Sequence, residues 1–147
     1  MSGLPSSVLF ACSHNAIRSP MAEALAKRLY GQMAYLDSVG VSPTELDSFA
    51  VAVLEEIGID LNSHQGKSFD DLDPSSFDLI VTLSPEAHHS ALEFTRSAST
   101  DVEYWPIPDP SAVEGSRETR LESYRRTRDI ILARLKVRFG APSGPSI

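Results

Sequence analysis

The segment that most constrains the fold is an apolar run, Val8 to Ala11, that leads through a short turn into an amphipathic helix. A short apolar run bounded by turn residues is typical of a strand buried on both faces. The helix is predicted to begin at Ser19-Pro20, a capping residue followed by proline at the first helical position, and to end near Gly31. This strand and helix favour an α/β fold.

The same alternation continues along the chain. Strands are predicted at residues 34–39, 77–83 and 102–105, and helices at 47–57, from Ser84-Pro85 onward, and at 117–138. We therefore predict three layers, α/β/α, around a central four-stranded parallel sheet. Residues 1–140 are predicted to form a single catalytic domain, and residues 141–147, rich in Pro, Gly and Ser, a flexible tail.

Composition excludes several classes of function. The chain has 147 residues and a formal net charge of −7, which disfavours a nucleic-acid partner. No apolar run approaches membrane-spanning length and no signal peptide is recognisable, so we expect neither membrane association nor export. One cysteine cannot form an internal disulfide, which agrees with a cytoplasmic location. No spacing of His, Cys, Asp or Glu indicates a metal site, and we expect no cofactor.

That single cysteine, Cys12, lies in the turn between the first strand and helix, six residues before Arg18. A thiolate is a nucleophile, and the backbone N–H groups of the turn, the positive end of the helix and the Arg18 guanidinium would all stabilise it. The same groups would bind a tetrahedral oxyanion, since a guanidinium can donate to two oxygens at once. The alternative is that Cys12 is only a small apolar residue buried at a strand end.

The sequence from Cys12 to Ser19 resembles the phosphate-binding loop of the low-molecular-weight protein tyrosine phosphatases, a fold shared with a class of arsenate reductases. The resemblance implies that Cys12 is the nucleophile and Arg18 the oxyanion clamp, that Ser19 donates to the thiolate, and that Asn15 braces a strained loop backbone. His14 stands where the family usually has glycine. The remaining residues implied to form the oxyanion loop are Ser13, Ala16 and Ile17.

A second segment, Tyr104 to Pro110, resembles the acid loop of the same family. By that resemblance, Asp109 would protonate the leaving group and then activate water against a cysteinyl-phosphate intermediate. Three prolines restrict the loop around this carboxylate, which suits a positioned acid. The alternative is an ordinary Asp-Pro turn.

These residues favour a phosphatase that acts on phosphomonoesters of the phosphotyrosine type, in phosphorylated proteins or small molecules. Two alternatives stay open: an arsenate reductase that uses an external small thiol such as glutathione or mycothiol, and a non-catalytic binder of phosphate or phosphopeptides. Inorganic phosphate or arsenate would be the simple oxyanion ligand. A relay through further cysteines is excluded, because the chain contains none. Members of the family that it resembles usually grip phosphotyrosine with one aromatic residue between the second strand and second helix and another just after Asp-Pro. The corresponding segments here, VSPTELD and SAVEG, contain none, and Phe49 is predicted to belong to the second helix.

Overall fold

The structure, a computed structural model, describes residues 3–147, and it has the predicted architecture. Four parallel strands form one sheet in the order β2-β1-β3-β4. The strands are β1 (Ser7–Cys12), β2 (Tyr35–Gly40), β3 (Leu79–Thr82) and β4 (Asp101–Tyr104); the helices are α1 (Arg18–Tyr30), α2 (Ser48–Glu55), α3 (Pro85–Phe94) and α4 (Arg117–Phe139). Each predicted strand and helix is present, with ends shifted by three residues or fewer.

Helices cover both faces of the sheet, because β1 is apolar on both of its sides. Val8 and Phe10 pack with α1, α2 and α4, whereas Leu9 and Ala11 pack with α3 and with the segment before β3. Both sets are fully buried, as expected for the central strand of a parallel sheet. The three-layer prediction is confirmed.

The two Ser-Pro helix starts behave differently. Ser84 caps α3 as predicted, since its Oγ accepts a hydrogen bond from the N–H of Ala87. The predicted cap at Ser19 is wrong: α1 begins at Arg18, Ile17 occupies the capping position, and no side chain caps the helix. Ser19 is instead the second residue of α1 and faces the interior, where its hydroxyl contacts Cys12 and the carbonyl of Val39.

The segment 141–147 lies beside α1. The N–H groups of Ser143 and Gly144 both donate to the carbonyl of Leu29, and Ile147 packs against the core. Flexibility of this segment stays a prediction. Among residues 3–147, no helix combines the length and hydropathy needed to cross a membrane.

The carboxyl ends of the strands place the candidate residues at one edge of the sheet, as is usual for ligand sites in parallel sheets. Cys12 ends β1, Ser84 follows β3, and Asp109 follows β4. The hydroxyl of Ser13 lies 3.0 Å from Ser84 Oγ, so the first two of these strand ends are in direct contact.

The end of β2 supports this edge through a close approach of backbone. A Cβ added to Gly40 would lie 2.6 Å from the backbone N of Asn15 and 2.8 Å from the carbonyl carbon of His14. Only glycine therefore allows the turn after β1 to pack directly against β2.

We expect Gly40→Ala to lower the free energy of unfolding by about 2 kcal/mol, because a methyl group must displace the turn after β1. Phosphate binding should weaken as well, since the turn bears the predicted oxyanion-binding groups. Gly66→Ala is the matched control, because its added carbon would come no closer than 3.2 Å to a neighbour. Denaturant unfolding and phosphate titration of both variants measure the two effects; equal losses would contradict the role of Gly40.

Candidate active site

The turn after β1, residues 13–17, is held by its carbonyl groups. Four of the carbonyls between residues 12 and 16 accept hydrogen bonds from the segment that joins β2 to α2. These bonds run from Val41 N to Cys12 O (3.1 Å), Ser42 N to Ser13 O (2.8 Å), Thr44 N to His14 O (3.0 Å) and Asp47 N to Ala16 O (3.2 Å). The peptide groups of the turn are thereby oriented with their carbonyls toward the protein.

The N–H groups of the same turn have no such partners. Among residues 3–147, none accepts a hydrogen bond from the backbone N–H of residues 14–17. Consecutive N–H donors at the start of a helix form an anion-binding concavity. The turn is therefore suited to bind a tetrahedral oxyanion through its backbone.

Asn15 fixes the conformation of the turn from beneath. Its φ of 51° lies in the left-handed region, which is costly for a residue with a side chain. The fully buried side chain offsets this cost with three hydrogen bonds: its amide donates to Ser19 Oγ (2.8 Å) and Ser38 Oγ (3.0 Å), and its Oδ1 accepts from Lys67 N (3.0 Å). The strained backbone implied for Asn15 is present.

Cys12 is 2% exposed, and its sulfur lies beneath the turn. Ser19 Oγ is 3.0 Å from Cys12 Sγ, and the N–H of Ser19 donates to the same sulfur at 3.4 Å. Because Asn15 donates to Ser19 Oγ, the hydroxyl proton of Ser19 is free to point at the sulfur or at Val39 O, 3.2 Å away. A Cys12 thiolate would thus accept two hydrogen bonds from Ser19, each of which stabilises the negative charge.

Arg18 lines the pocket above the sulfur and is itself held in place. Its Nη1 donates to the carbonyl of Ile107 at 2.9 Å and to that of Leu83 at 3.4 Å. These contacts use one nitrogen of a guanidinium that has five N–H donors, so donors remain for an oxyanion. Because Ile107 precedes Asp109 by two residues, Arg18 also ties the first turn to the acid loop.

Asp109 lines the same pocket, which has a volume of about 210 Å³ and also exposes Cys12, Arg18 and His14. Its Oδ1 accepts hydrogen bonds from Ser111 N (2.9 Å) and Ser111 Oγ (2.7 Å). Its Oδ2 has no hydrogen-bond partner among residues 3–147 and can therefore exchange a proton with a substrate. The structure thus brings together the three residues proposed for catalysis.

The other predicted loop residues divide into two groups. Ala16, Ile17 and His14 line the pocket, and His14 Nδ1 lies 3.1 Å from the carbonyl of Ser42. Ser13 points away from it, because its hydroxyl donates to Glu86 Oε1 (2.6 Å) and lies 3.0 Å from Ser84 Oγ. The hydrogen bond from Ser13 lowers the pKa of the Glu86 carboxyl, which keeps that group ionised.

Three supporting residues were not predicted from the sequence. Ser38 donates to Glu23 Oε1, and His64 Nε2 lies 3.1 Å from the carbonyl of Asn15. His64 Nδ1 is 3.9 Å from the Glu23 carboxylate, which completes a buried polar network under the turn. The one sequence signal was Glu23 itself, a charged residue in the otherwise apolar stretch MAEALA.

Asp47 links the pocket to α4. Its Oδ1 caps α2 by accepting from the N–H groups of Phe49 and Ala50, and its Oδ2 accepts from the hydroxyl of Tyr124 at 2.9 Å. Burial raises the pKa of Tyr124, and the Asp47 carboxylate raises it further. Tyr124 is therefore a fixed hydrogen-bond donor over the whole physiological pH range.

The pocket has no aromatic wall. Phe49 belongs to α2, as predicted, and packs edge-on against Tyr124 with ring centroids 5.3 Å apart. The residues that form the outer wall are Thr44, Glu45, Asp47 and Ser111. Among residues 3–147, the pocket thus lacks the aromatic residues that would contact a phosphotyrosine ring, as the sequence indicated.

A larger cleft, of about 630 Å³, lies between α1 and residues 58–67. Neither Cys12, Arg18 nor Asp109 lines it, and both of its lysines are paired within the protein: Lys27 with Glu23, and Lys67 with Asp37. The smaller pocket contains Cys12, the predicted nucleophile, and is the candidate active site.

Comparison with known proteins gives a consistent result. A family model described as low molecular weight phosphotyrosine protein phosphatase matches residues 7–139. The arsenate reductase of Bacillus subtilis (strain 168) is 31% identical over 129 residues, which cover 88% of this chain and 91% of that protein.

Solved structures show the same fold. A structure described as an arsenate reductase in the phosphate binding state has a TM-score of 0.71 and 24% identity, and covers 90% of this chain and 95% of that one. The tyrosine phosphatase Wzb from Escherichia coli K30, in complex with sulphate, has a TM-score of 0.69 and 23% identity, and covers 90% and 99%. Identities this low support the shared fold alone.

The His64 side chain makes stability depend on pH. Its side chain is 7% exposed, and burial lowers the pKa of this imidazole below its ordinary value of 6.5. Below about pH 6.5 the unfolded chain therefore takes up a proton that the folded protein resists. We expect the contribution of His64 to the free energy of unfolding to be constant above that pH, and the free energy of unfolding to fall as the pH decreases below it.

Urea unfolding of His64→Gln between about pH 5 and 7.5 isolates this contribution, because glutamine can donate to Asn15 O but does not titrate in this range. His89→Gln, at an exposed position of α3, is the control. The pH slope should be smaller in His64→Gln than in the wild type and unchanged in His89→Gln. An unchanged slope in His64→Gln would assign the pH dependence to other groups.

Proposed function

Because this chain belongs to the low molecular weight phosphotyrosine protein phosphatase family, we propose that it hydrolyses phosphomonoesters through a cysteinyl-phosphate intermediate. The observation that supports the proposal best is the shared pocket of Cys12 and Asp109. A nucleophile and a proton donor that face one oxyanion site are the two groups that phosphomonoester hydrolysis requires. The buried thiol, with no disulfide partner in the chain, also fits a reducing cytoplasm, which we propose as its location.

The first step transfers the phosphoryl group to sulfur. The Cys12 thiolate attacks phosphorus, an S–P bond forms, and the bond from phosphorus to the leaving oxygen breaks. Asp109 gives its proton to that oxygen as negative charge develops there. The equatorial oxygens accept hydrogen bonds from the backbone N–H groups of residues 14–17 and from Arg18, which are already oriented before substrate binds.

The second step returns the enzyme to its starting state. Asp109, now a carboxylate, removes a proton from water as the water oxygen attacks phosphorus. The S–P bond breaks, the electron pair returns to sulfur, and phosphate is released. The Ser19 hydroxyl and N–H stabilise the departing thiolate, because they lie 3.0 and 3.4 Å from the sulfur.

An arsenate reductase that uses an external small thiol is the second candidate. It is favoured by the names of relatives such as the Bacillus subtilis arsenate reductase, and by the lack of an aromatic wall in the pocket. Within this sequence no second cysteine could form a disulfide with Cys12, so the reducing thiol would have to come from solution. Such a reaction has less use for Asp109, since hydroxide or water is lost in place of an alcohol.

We expect Cys12→Ser to abolish hydrolysis of 4-nitrophenyl phosphate, because a serine hydroxyl at this position lacks a base to activate it. Phosphate binding should stay within about tenfold of wild type, since the loop donors and Arg18 are unchanged. Steady-state kinetics and calorimetric phosphate titration measure the two properties, and thermal unfolding controls for loss of structure. Hydrolysis at the wild-type rate would refute the mechanism.

If the reduced wild-type protein hydrolyses no phosphomonoester, arsenate with glutathione or mycothiol is the next assay. Arsenite production under those conditions would establish the second candidate. Cys12→Ser does not separate the two reactions, because both begin at the same sulfur. The product does separate them, because a phosphatase releases phosphate and a reductase releases arsenite.

Asp109→Asn should slow esters with poor leaving groups most, because these depend on proton donation. We expect a loss of about 100-fold for phenyl phosphate and of less than about tenfold for 4-nitrophenyl phosphate, whose leaving group needs little protonation. Asp101→Asn, at the exposed start of β4, is the matched control and should change neither rate. An equal loss for both esters would remove Asp109 from the role of acid.

A further inference from the structure

The outer wall of the active-site pocket contains a carboxylate that the proposed mechanism does not use. Glu45 lines this pocket together with Cys12, Arg18 and Asp109. It is exposed, and it forms no hydrogen bond or ion pair with any residue between 3 and 147. The segment that contains it also donates the hydrogen bonds that hold the carbonyls of the turn, so the position of Glu45 is coupled to the candidate oxyanion site.

The two other carboxylates of the pocket are already engaged. Both oxygens of Asp47 accept hydrogen bonds, from the start of α2 and from Tyr124. Asp109 is held by Ser111 and serves as the proposed acid. Glu45 is therefore the carboxylate of this wall that remains available to contact a substrate.

The charge of Glu45 opposes the binding of an ordinary phosphomonoester. Glu45 and a phosphate dianion bound above Cys12 would share one pocket of about 210 Å³, and the screening length at physiological ionic strength, about 8 Å, is too long to remove repulsion between charges in a space of this size. Arg18 and the backbone donors offset the charge of the phosphate itself, but nothing in the wall offsets Glu45. A positive charge on the leaving group would satisfy this carboxylate and remove the repulsion.

We propose that Glu45 determines specificity for phosphorylated substrates whose leaving group carries a positive charge, an ammonium or guanidinium, a few bonds from the phosphoryl group. This inference rests on the proposed phosphatase function and identifies its substrate class. The chemical steps are unchanged: the S–P bond forms, the bond to the leaving atom breaks, and Asp109 supplies the proton. The cationic group takes no part in them and contacts Glu45.

Two arginines of α4 carry a charge that would favour an anionic leaving group instead of a cationic one. Arg117 and Arg120 of α4 lie over the ring of Phe49, 5.1 and 4.6 Å from its centroid, and neither lines the pocket. If their field reached the leaving group more strongly than Glu45 does, an anionic leaving group would be preferred. The substrate series below therefore includes both signs of charge.

Three aryl phosphates of similar shape test the proposal: tyramine phosphate, 4-ethylphenyl phosphate and 4-(2-carboxyethyl)phenyl phosphate, which are cationic, neutral and anionic. We expect kcat/KM to be about three- to fivefold higher for the cationic than for the neutral ester at low salt, as for an exposed ion pair. The anionic ester should be the poorest. The preference should decrease at high salt.

Glu45→Gln should bring the ratio of cationic to neutral ester to about one. Glu55→Gln is the matched control, because Glu55 is equally exposed and lies at the end of α2, away from the pocket; it should keep the wild-type ratio. A wild-type ratio of one or less, or a preference that survives in Glu45→Gln, would overturn the proposal.

Binding of the same three esters to Cys12→Ser distinguishes this inference from the proposed function. If the wild type hydrolyses none of the esters, the phosphatase function is wrong. The ratio of dissociation constants in Cys12→Ser and in the Cys12→Ser, Glu45→Gln double variant still tests Glu45. A preference for the cationic ester that is lost in the double variant supports the role of Glu45, and equal affinities refute it.

Discussion

The structure depends on the orientation of the peptide groups that follow β1. Four carbonyls between residues 12 and 16 are bound by the segment after β2, and the N–H groups of residues 14–17 have no acceptor among residues 3–147. A peptide plane is rigid, so fixing the carbonyl direction also fixes the direction of the N–H. The oxyanion site proposed for this protein thus depends on how β2 and its loop pair with the turn, and Gly40 allows the approach.

The buried network under the turn explains how a strained backbone is kept. A left-handed asparagine and a desolvated carboxylate are each costly, and they persist because their partners are all present. Asn15, Ser38 and Glu23 form a chain of hydrogen bonds, and no buried side-chain polar atom between residues 3 and 147 lacks a partner. The network places Ser19 as well, since Asn15 orients the hydroxyl that contacts the thiol. The same hydrogen-bond network therefore stabilises the turn and orients the Ser19 hydroxyl.

Much of this arrangement could be predicted from the sequence, because its signals are local. Alternating apolar runs and amphipathic segments identified all four strands and all four helices, and the family resemblance identified Cys12, Arg18 and Asp109. The Ser-Pro pattern predicted the cap of α3 correctly but failed at Ser19, where a thiol competes for the hydroxyl. The contacts of Ser38 and His64 with the turn were not predictable, since they join residues 23 and 49 positions apart and depend on the order of the strands.

The features that bind an oxyanion cannot by themselves distinguish a phosphatase from an arsenate reductase. Phosphate and arsenate are both tetrahedral, and the backbone donors, Arg18 and the thiolate serve either in the same way. The two reactions differ in the group that leaves in the first step and in the nucleophile that attacks the covalent intermediate in the second. The residues that distinguish the reactions must therefore lie outside the turn. The candidates in this chain are Asp109, which lines the pocket and has one carboxylate oxygen without a partner among residues 3–147, and Glu45 in the outer wall. Asp109 is of most use where an alcohol, phenol or amine departs, because such a leaving group takes up a proton. Asp109 therefore agrees with the proposed phosphatase, whereas the role inferred for Glu45 rests on that proposal and lends it no independent support.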